Sequence, residues 1–103
     1  MNEVRVGIIG LGNMGTSRAH NMYDGKVKRM KLAAICDIAP LRLEYAKKNF
    51  ENVELFDNAD EMFKNADIDA VIISVPHYDH PGLAISAFEH GLHVIVEKPA
   101  GVY

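Results

Sequence analysis

The stretch Val4-Arg5-Val6-Gly7-Ile8-Ile9-Gly10-Leu11-Gly12-Asn13-Met14-Gly15 decides the fold, because an apolar run ends directly in a glycine motif. The run predicts a strand, and the residues after the motif predict a helix over 14–23. Gly10 permits a tight turn, Gly12 lets a phosphate approach the backbone, and Gly15 lets the helix pack closely against the strand. The helix start offers free N–H groups to the phosphates. The motif therefore predicts a dinucleotide site, and the alternative is an ordinary glycine-rich connection.

Four more apolar runs follow the first, at residues 31–36, 53–56, 70–75 and 93–96. In three of the five runs nearly every residue is apolar, instead of apolar and polar residues alternating. This pattern is typical of strands that are buried on both faces of a parallel sheet. Helical signals lie between the runs. Pro40 suits the first position of a helix, and Asn58 with Glu61 resembles a capping box. Pro81 could open a further helix, and Gly91 would end it in the left-handed conformation.

This alternation of strands and helices predicts an α/β fold with a doubly wound parallel sheet, the Rossmann arrangement. The expected strand order is 3-2-1-4-5, with the last strand of the full pattern missing. Residues 23–31 are predicted to form a solvated loop. In the helix opened by Pro81, we expect Ala84, Ala87 and Phe88 to share one face.

Composition excludes several classes of protein. The 103 residues suit one domain, and 49% hydrophobic with 24% charged residues is ordinary for a globular protein. The net charge of -3 provides no basic surface for nucleic acid, and no apolar run is long enough to span a membrane. The only cysteine, Cys36, excludes an intramolecular disulfide, indicates a reduced cytoplasmic setting, and is interpreted as a small buried strand residue. The histidines lack metal-ligand spacing, so we expect no metal site.

An acidic residue follows the second run. Asp37 lies 22 positions after Gly15, the spacing at which a carboxylate meets the hydroxyls of the adenosine ribose. A carboxylate accepts hydrogen bonds from the 2′-hydroxyl and repels a 2′-phosphate, which favours NAD over NADP. Arg42 is a candidate partner for such a phosphate, so use of NADP stays open. The alternatives for Asp37 are a solvent-facing strand end or a cap for the helix at Pro40.

Two further segments follow the fourth and fifth runs, Ser74-Val75-Pro76-His77-Tyr78-Asp79-His80 and Glu97-Lys98-Pro99. The fourth strand should flank the first, at the point where the direction of the chain across the sheet reverses. Ligands bind there, outside the carboxyl ends of the strands. Lys98 could approach such a ligand, and the alternative is a surface lysine that closes the strand.

In this order, the pieces resemble the N-terminal half of the Gfo/Idh/MocA family of oxidoreductases. The resemblance rests on the glycine motif, Asp37, the turn at residues 76–80, Gly91-Leu92-His93-Val94 and Glu97-Lys98-Pro99. Together these pieces span nearly the whole chain. The family commonly has asparagine after the proline of the fourth-strand turn, whereas this chain has His77.

The resemblance implies a two-domain enzyme that uses NAD or NADP to oxidise or reduce sugars, polyols, cyclitols and related small molecules. It implies that Lys98 is catalytic, lying beside the nicotinamide and the reacting hydroxyl. A cationic nicotinamide ring nearby would favour the neutral amine that proton transfer needs. For His80, a helix cap is the alternative to cofactor binding. The motif and the resemblance together predict the cofactor-binding residues Gly10, Gly12, Asn13, Met14, Gly15, Asp37, Ser74, Pro76, His77, His80 and Glu97.

The family continues with a last strand and a substrate domain, which usually carries the oligomer interface. We therefore expect residues 1–103 to be the dinucleotide-binding domain of a longer, homo-oligomeric enzyme, inactive or nearly so by itself. A second hypothesis is a non-catalytic NAD-binding sensor or regulatory module, which needs the glycine motif and Asp37 but not Lys98. A third is a structural domain with a vestigial site, which the intact glycines disfavour.

Overall fold

The apolar runs form a parallel sheet with helices between its strands. The structure, a computed structural model, describes residues 3–26, 29–74 and 80–96, and at residues 13, 14, 80, 81, 83, 84 and 96 it describes the backbone alone. The elements in chain order are β1 (Val4–Ile9), α1 (Asn13–Tyr23), β2 (Met30–Cys36), α2 (Pro40–Asn49), β3 (Glu54–Phe56), α3 (Ala59–Asn65), β4 (Ala70–Ile73), α4 (His80–Glu89) and β5 (His93–Val96).

The strand order is β3-β2-β1-β4-β5, and the predicted order is confirmed. All four neighbouring pairs are parallel, so each strand returns through a crossover that contains a helix. The chain leaves β1 towards one side of the sheet, and after β3 it returns to β4 on the other side of β1. This reversal opens a crevice outside the carboxyl ends of β1 and β4, where ligands bind in folds of this class.

Apolar side chains are buried on both faces of the sheet. This explains why the strands contain uninterrupted apolar residues rather than alternating apolar and polar ones. All four residues of β4 are buried. One face is covered by α1 and α2, with a core that includes Val6, Ile8, Leu32, Ile35, Phe50 and Ile72. The other face is covered by α3 and α4, with a core that includes Ile9, Cys36, Met62, Phe63, Val71 and Ala87. The sheet is therefore wound on both sides, as the sequence predicted.

Most predicted helix ends are confirmed. Pro40 is the first residue of α2, and the Asn58 side chain accepts a hydrogen bond from the Glu61 N–H at 3.1 Å. Gly91 follows α4 with a φ of 77°, in the left-handed region. The helix that was expected to open at Pro81 begins one residue earlier, at His80. Among the described residues, no helix is long and apolar enough to cross a membrane.

Two expectations about local structure are wrong. The loop predicted over 23–31 is shorter, because β2 begins at Met30. In α4, Ala87 is buried whereas Phe88 is 61% exposed, so the two residues do not share the core-facing side. Adjacent residues on a helix point about 100° apart, and the apolar pattern alone did not show which of them faces the sheet.

A charged cluster joins the amino ends of two central strands, at the edge of the sheet opposite the crevice. The Arg5 guanidinium donates hydrogen bonds to both carboxylate oxygens of Asp69, at 3.0 and 3.1 Å, and the Arg5 backbone N–H donates a third at 3.0 Å. These hydrogen bonds lower the pKa of the Asp69 carboxyl. The cluster therefore holds the start of β1 against the start of β4.

At the other edge, α1 approaches the end of β1 very closely at Gly15. A Cβ atom at Gly15 would lie 1.9 Å from the carbonyl oxygen of Gly10 and 3.4 Å from the Cβ atom of Ser74. A Cβ atom at Gly12 would meet nothing within 4 Å. The close helix packing predicted for Gly15 is therefore present, and Gly12 faces open space.

We expect Gly15→Ala to lower the free energy of unfolding by about 3 kcal/mol or more, because the methyl group would overlap backbone that cannot move without opening the turn. Gly12→Ala is the matched control, because its φ of -70° suits alanine and its surroundings are empty. Its cost should stay within about 1 kcal/mol, the scale of a helix-cap substitution. Urea unfolding followed by circular dichroism measures both, and equal stability of the two variants would contradict this account.

Candidate dinucleotide-binding site

The glycine motif forms a tight turn at the carboxyl end of β1. Gly10 has a φ of 96°, in the region that favours glycine, and its N–H donates to the carbonyl of Cys36 at 2.8 Å. The first hydrogen bond of α1 follows at once, from the Thr16 N–H to the Gly12 carbonyl at 2.8 Å. The Thr16 hydroxyl donates to the carbonyl of Leu11 at 3.0 Å, which closes the turn.

The start of α1 has no side-chain cap. Gly12 occupies the cap position and has no side chain that could accept a hydrogen bond from the first N–H groups of the helix. The first turn of the helix also contains no acidic residue. Helix α3 shows the contrast, because Asn58 caps it and Asp60 and Glu61 lie in its first turn. The first N–H groups of a helix have no partner within the helix, and its dipole makes this end positive. The start of α1 is therefore suited to an anion such as a pyrophosphate.

Asp37 directly follows β2 and connects the turn to the next helix. Its carboxylate accepts hydrogen bonds from the Leu11 N–H at 2.7 Å and from the Ala39 N–H at 2.9 Å. The residue is only 4% exposed, so the alternative of a solvent-facing strand end is wrong. The Ala39 contact supports the chain just before α2, although Ala39 itself is the cap residue. Each carboxylate oxygen can accept two hydrogen bonds, so capacity remains for a ligand hydroxyl.

Ser74 places a polar group at the switch point of the sheet. Its N–H donates to the carbonyl of Ile9 at 2.8 Å, and its side chain lies against the start of α1 near Gly15. The Ser74 Oγ is buried and has no hydrogen-bond partner among the described residues. A buried hydroxyl without a partner is costly in free energy, so this oxygen is suited to bond with a ligand or with water.

Sequence reasoning missed two apolar side chains beside Asp37. Ile38 directly follows it and is 87% exposed, and Leu41, in the first turn of α2, is 79% exposed. Exposed apolar side chains that occur singly are normal on a protein surface, so it is the position of these two, within four residues of the buried acid, that makes them candidates for a ligand surface. The sequence offered one indication, because Ile38 directly follows the acid that ends β2. Only the structure shows that the Ile38 side chain faces solvent instead of the core.

Arg42 lies close to the acid. Its Nη1 is 3.5 Å from the Asp37 Oδ2, and its side chain is 53% exposed. It also lines a cleft of about 480 Å³ between α1 and α2, together with Leu11, Thr16, Ser17, Leu41 and Tyr45. The side chain of Arg42 therefore lies beside both Asp37 and this cleft.

Cys36 is a buried core residue at the end of β2. Burial is the main factor that raises the pKa of its thiol, to about 11, and the neighbouring charge of Asp37 adds to the effect. The reactive thiolate is therefore scarce at neutral pH, which agrees with the interpretation of Cys36 as a small strand residue.

Several predicted site residues lie outside the described residues, namely Pro76, His77, Glu97 and Lys98. For Asn13 and Met14, which begin α1, and for His80, which begins α4, the structure describes the backbone alone. The roles proposed for them at the nicotinamide end stay predictions. In the described part of the chain, no group of three or more His, Cys, Asp or Glu residues could hold a metal ion.

A glycine turn that opens an uncapped helix, next to a buried acid at the end of the neighbouring strand, defines a Rossmann domain of the dinucleotide-binding class. The family model described as "Oxidoreductase family, NAD-binding Rossmann fold" matches residues 4–102. The chain therefore belongs to the Gfo/Idh/MocA oxidoreductase family, and the family predicted from the motifs is confirmed.

Individual relatives agree with the family assignment. Inositol 2-dehydrogenase 4 of Saccharopolyspora erythraea is 31% identical over 94% of this chain and 28% of its own length. A glycosyl hydrolase family 109 protein of Solibacter usitatus is 33% identical over 94% of this chain and 24% of its own length. The solved structure of scyllo-inositol dehydrogenase from Lactobacillus casei, with bound NAD(H) and scyllo-inositol, superposes with a TM-score of 0.88. It is 38% identical over 99% of this chain and 30% of that one. The chain thus spans less than a third of each relative.

We expect Asp37→Ala to weaken NAD binding and also to lower the free energy of unfolding by about 1–3 kcal/mol, because two backbone N–H groups lose their acceptor. Calorimetric titration and urea unfolding measure the two effects. Glu44→Ala is the matched control, since it removes an exposed carboxylate from α2. If Asp37→Ala bound NAD as tightly as the native protein, the prediction that this carboxylate binds the adenosine ribose would be wrong.

Proposed function

We propose that this chain is the NAD-binding domain of an oxidoreductase that transfers hydride between nicotinamide and a sugar, polyol or related hydroxyl or carbonyl compound. The observation that carries the proposal is the uncapped, acid-free start of α1 beside the buried carboxylate of Asp37. The two groups match the two parts of a dinucleotide that such a fold recognises, the pyrophosphate and the adenosine ribose.

The described residues fit this cofactor in a definite arrangement. The N–H groups at the start of α1 would hold the pyrophosphate, and the open space at Gly12 would let it reach the backbone. Asp37 would accept hydrogen bonds from the ribose, and the exposed side chain of Ile38 would pack against the adenine. The Ser74 Oγ, which has no hydrogen-bond partner among the described residues, directly follows β4 and would gain a partner from the cofactor or from water.

The proton transfer that accompanies hydride transfer is assigned to Lys98, on the basis of the resemblance to the family. The bound cofactor supplies the hydride acceptor for oxidation of an alcohol. As the carbinol C–H bond breaks towards the nicotinamide, the hydroxyl O–H bond must also break, and a neutral Lys98 amine would take that proton. In the reverse direction, the Lys98 ammonium would return the proton to the carbonyl oxygen. Glu97 and the turn at residues 76–80 would support this end of the site.

The substrate class rests on the relatives. One is an inositol 2-dehydrogenase, and another is a scyllo-inositol dehydrogenase solved with bound NAD(H) and scyllo-inositol. The chain spans less than a third of these proteins. On the resemblance to the family, a further part of the enzyme would complete the substrate pocket and carry the interface of a homo-oligomer. Neither of these two dehydrogenases supports the hypothesis of a non-catalytic sensor.

The cofactor assignment is tested by titrating NAD into the protein and into Gly12→Ala. We expect the variant to fold and to bind NAD at least about tenfold more weakly, because the new methyl group occupies the space where the pyrophosphate meets the backbone. Gly82→Ala is the control, a glycine in α4 whose added methyl group would also meet nothing within 4 Å. A folded native protein that does not bind NAD would overturn the proposal.

The catalytic assignment is tested with Lys98→Ala in the whole enzyme. We expect NAD binding to be retained and turnover of scyllo-inositol, or of another polyol that the native enzyme oxidises, to fall by about 100-fold or more, the usual scale of a lost acid–base group. Lys64→Ala removes an exposed lysine of α3 and should leave turnover unchanged. Native turnover in Lys98→Ala would rule out its catalytic role.

A further inference from the structure

Asp57 is a second acid at the carboxyl edge of the sheet, directly after β3 and one strand beyond Asp37. Cys36 at the end of β2 is paired with Phe56 at the end of β3, and the two strands are parallel. The Asp37 N–H donates a hydrogen bond to the Phe56 carbonyl at 3.1 Å. Asp37 and Asp57 therefore follow two strands that end in register, and neighbouring strands lie about 5 Å apart.

The Asp57 carboxylate lies near the end of β2 and is open to a ligand. Burial is the main factor that raises the pKa of the Cys36 thiol, and the charges of Asp37 and then of Asp57 add to the effect. Asp57 is nevertheless exposed, and among the described residues no group donates a hydrogen bond to its carboxylate or forms an ion pair with it. Within the described part of the chain, both of its oxygens therefore remain available as acceptors.

Neighbouring polar groups at the start of α3 have partners that Asp57 lacks. The helix is capped by Asn58, whose side chain accepts a hydrogen bond from the Glu61 N–H at 3.1 Å, so Asp57 is not needed as a cap. The Asp60 carboxylate accepts a hydrogen bond from the Ser86 hydroxyl of α4 at 2.8 Å. This contact holds Asp60 against α4, whereas Asp57 stays at the end of its strand.

The proposed position of the adenosine brings its base towards Asp57. The ribose would bind at Asp37, and the base would pack against the exposed side chain of Ile38. The amine of adenine is at the end of the base that is farthest from the ribose. Because the spacing of about 5 Å between strands is within the length of a purine, this end can reach from β2 to β3.

Purines differ in the group that they carry at that end. Adenine has an amine that donates hydrogen bonds, whereas guanine and hypoxanthine have a carbonyl oxygen that accepts them. An ionised carboxylate can only accept, so it bonds to the amine and repels the carbonyl oxygen. The bond to the amine is also charge-assisted, which makes it stronger than a bond between neutral groups.

We propose that Asp57 selects the base of the dinucleotide: its carboxylate accepts a hydrogen bond from the amine of adenine and disfavours a base with a carbonyl oxygen at that position. This inference rests on the proposed NAD site and adds to it the residue that determines base specificity. The groups on β2 and α1 would hold the ribose and the pyrophosphate, which all purine dinucleotides share. Discrimination between bases therefore falls to a residue after β3.

The test compares the dissociation constants of NAD and of nicotinamide hypoxanthine dinucleotide, in which a carbonyl oxygen replaces the amine of adenine. Calorimetry should show that the native protein binds the hypoxanthine compound about tenfold or more weakly than NAD, the scale of a lost charge-assisted hydrogen bond. In Asp57→Asn the two constants should agree within about threefold, because an amide can accept from the amine or donate to the carbonyl oxygen. Asp57→Ala should weaken the binding of NAD but not that of the hypoxanthine compound.

Asp60→Asn is the matched control, because it removes a neighbouring negative charge and keeps an oxygen for the Ser86 hydroxyl. It should leave the ratio of the two constants unchanged. Since Asp57 is exposed, its variants should fold like the native protein, which circular dichroism checks. Equal binding of both dinucleotides by the native protein, or a native ratio in Asp57→Asn, would overturn the inference. Failure of the folded native protein to bind NAD is a separate result, which removes the proposed site itself.

Discussion

The buried hydrogen bond from the Leu11 N–H to the Asp37 carboxylate, 2.7 Å long, holds the site together. It connects the end of β2 to the turn that leaves β1, and the other Asp37 oxygen reaches forward to Ala39 and the start of α2. A charge with so little solvent contact is stable only when hydrogen bonds replace the lost water. Because backbone groups supply those bonds, the position of the carboxylate is fixed by the fold before any ligand arrives. The close contact between Gly15 and Gly10 draws α1 to the same edge of the sheet, so that Asp37 and the helix start present an acceptor and a set of donors side by side.

The two edges of the sheet differ in how well their polar groups are satisfied. At the amino edge, Arg5 and Asp69 bond to each other through three hydrogen bonds. At the carboxyl edge, α1 lacks a cap, the Ser74 hydroxyl has no partner among the described residues, and Ile38 is exposed. Each of these features is unfavourable in the free protein. Local departures of this kind concentrate at functional sites, and the remainder of the fold compensates for their cost.

By itself, the sequence determined the class of fold and much of its detail. The apolar runs marked all five strands, and the strong preference for right-handed crossovers then left few possible strand orders, of which the expected one is present. The glycine motif and Asp37 were recognisable because their spacing follows from backbone geometry over a short length of chain. The exposure of Phe88 was not predictable, because it depends on how α4 is rotated against a sheet made from distant segments.

The tertiary structure alone decided how the site residues relate to one another. It showed that Asp37 is buried and bonded to Leu11, which lies 26 positions earlier in the chain, and that Arg42 points to Asp37. It also showed that Ile38 and Leu41 face solvent and that the Ser74 hydroxyl is left without a described partner. Sequence patterns report local periodicity, whereas these contacts depend on the distances between strands and helices that only the assembled sheet sets.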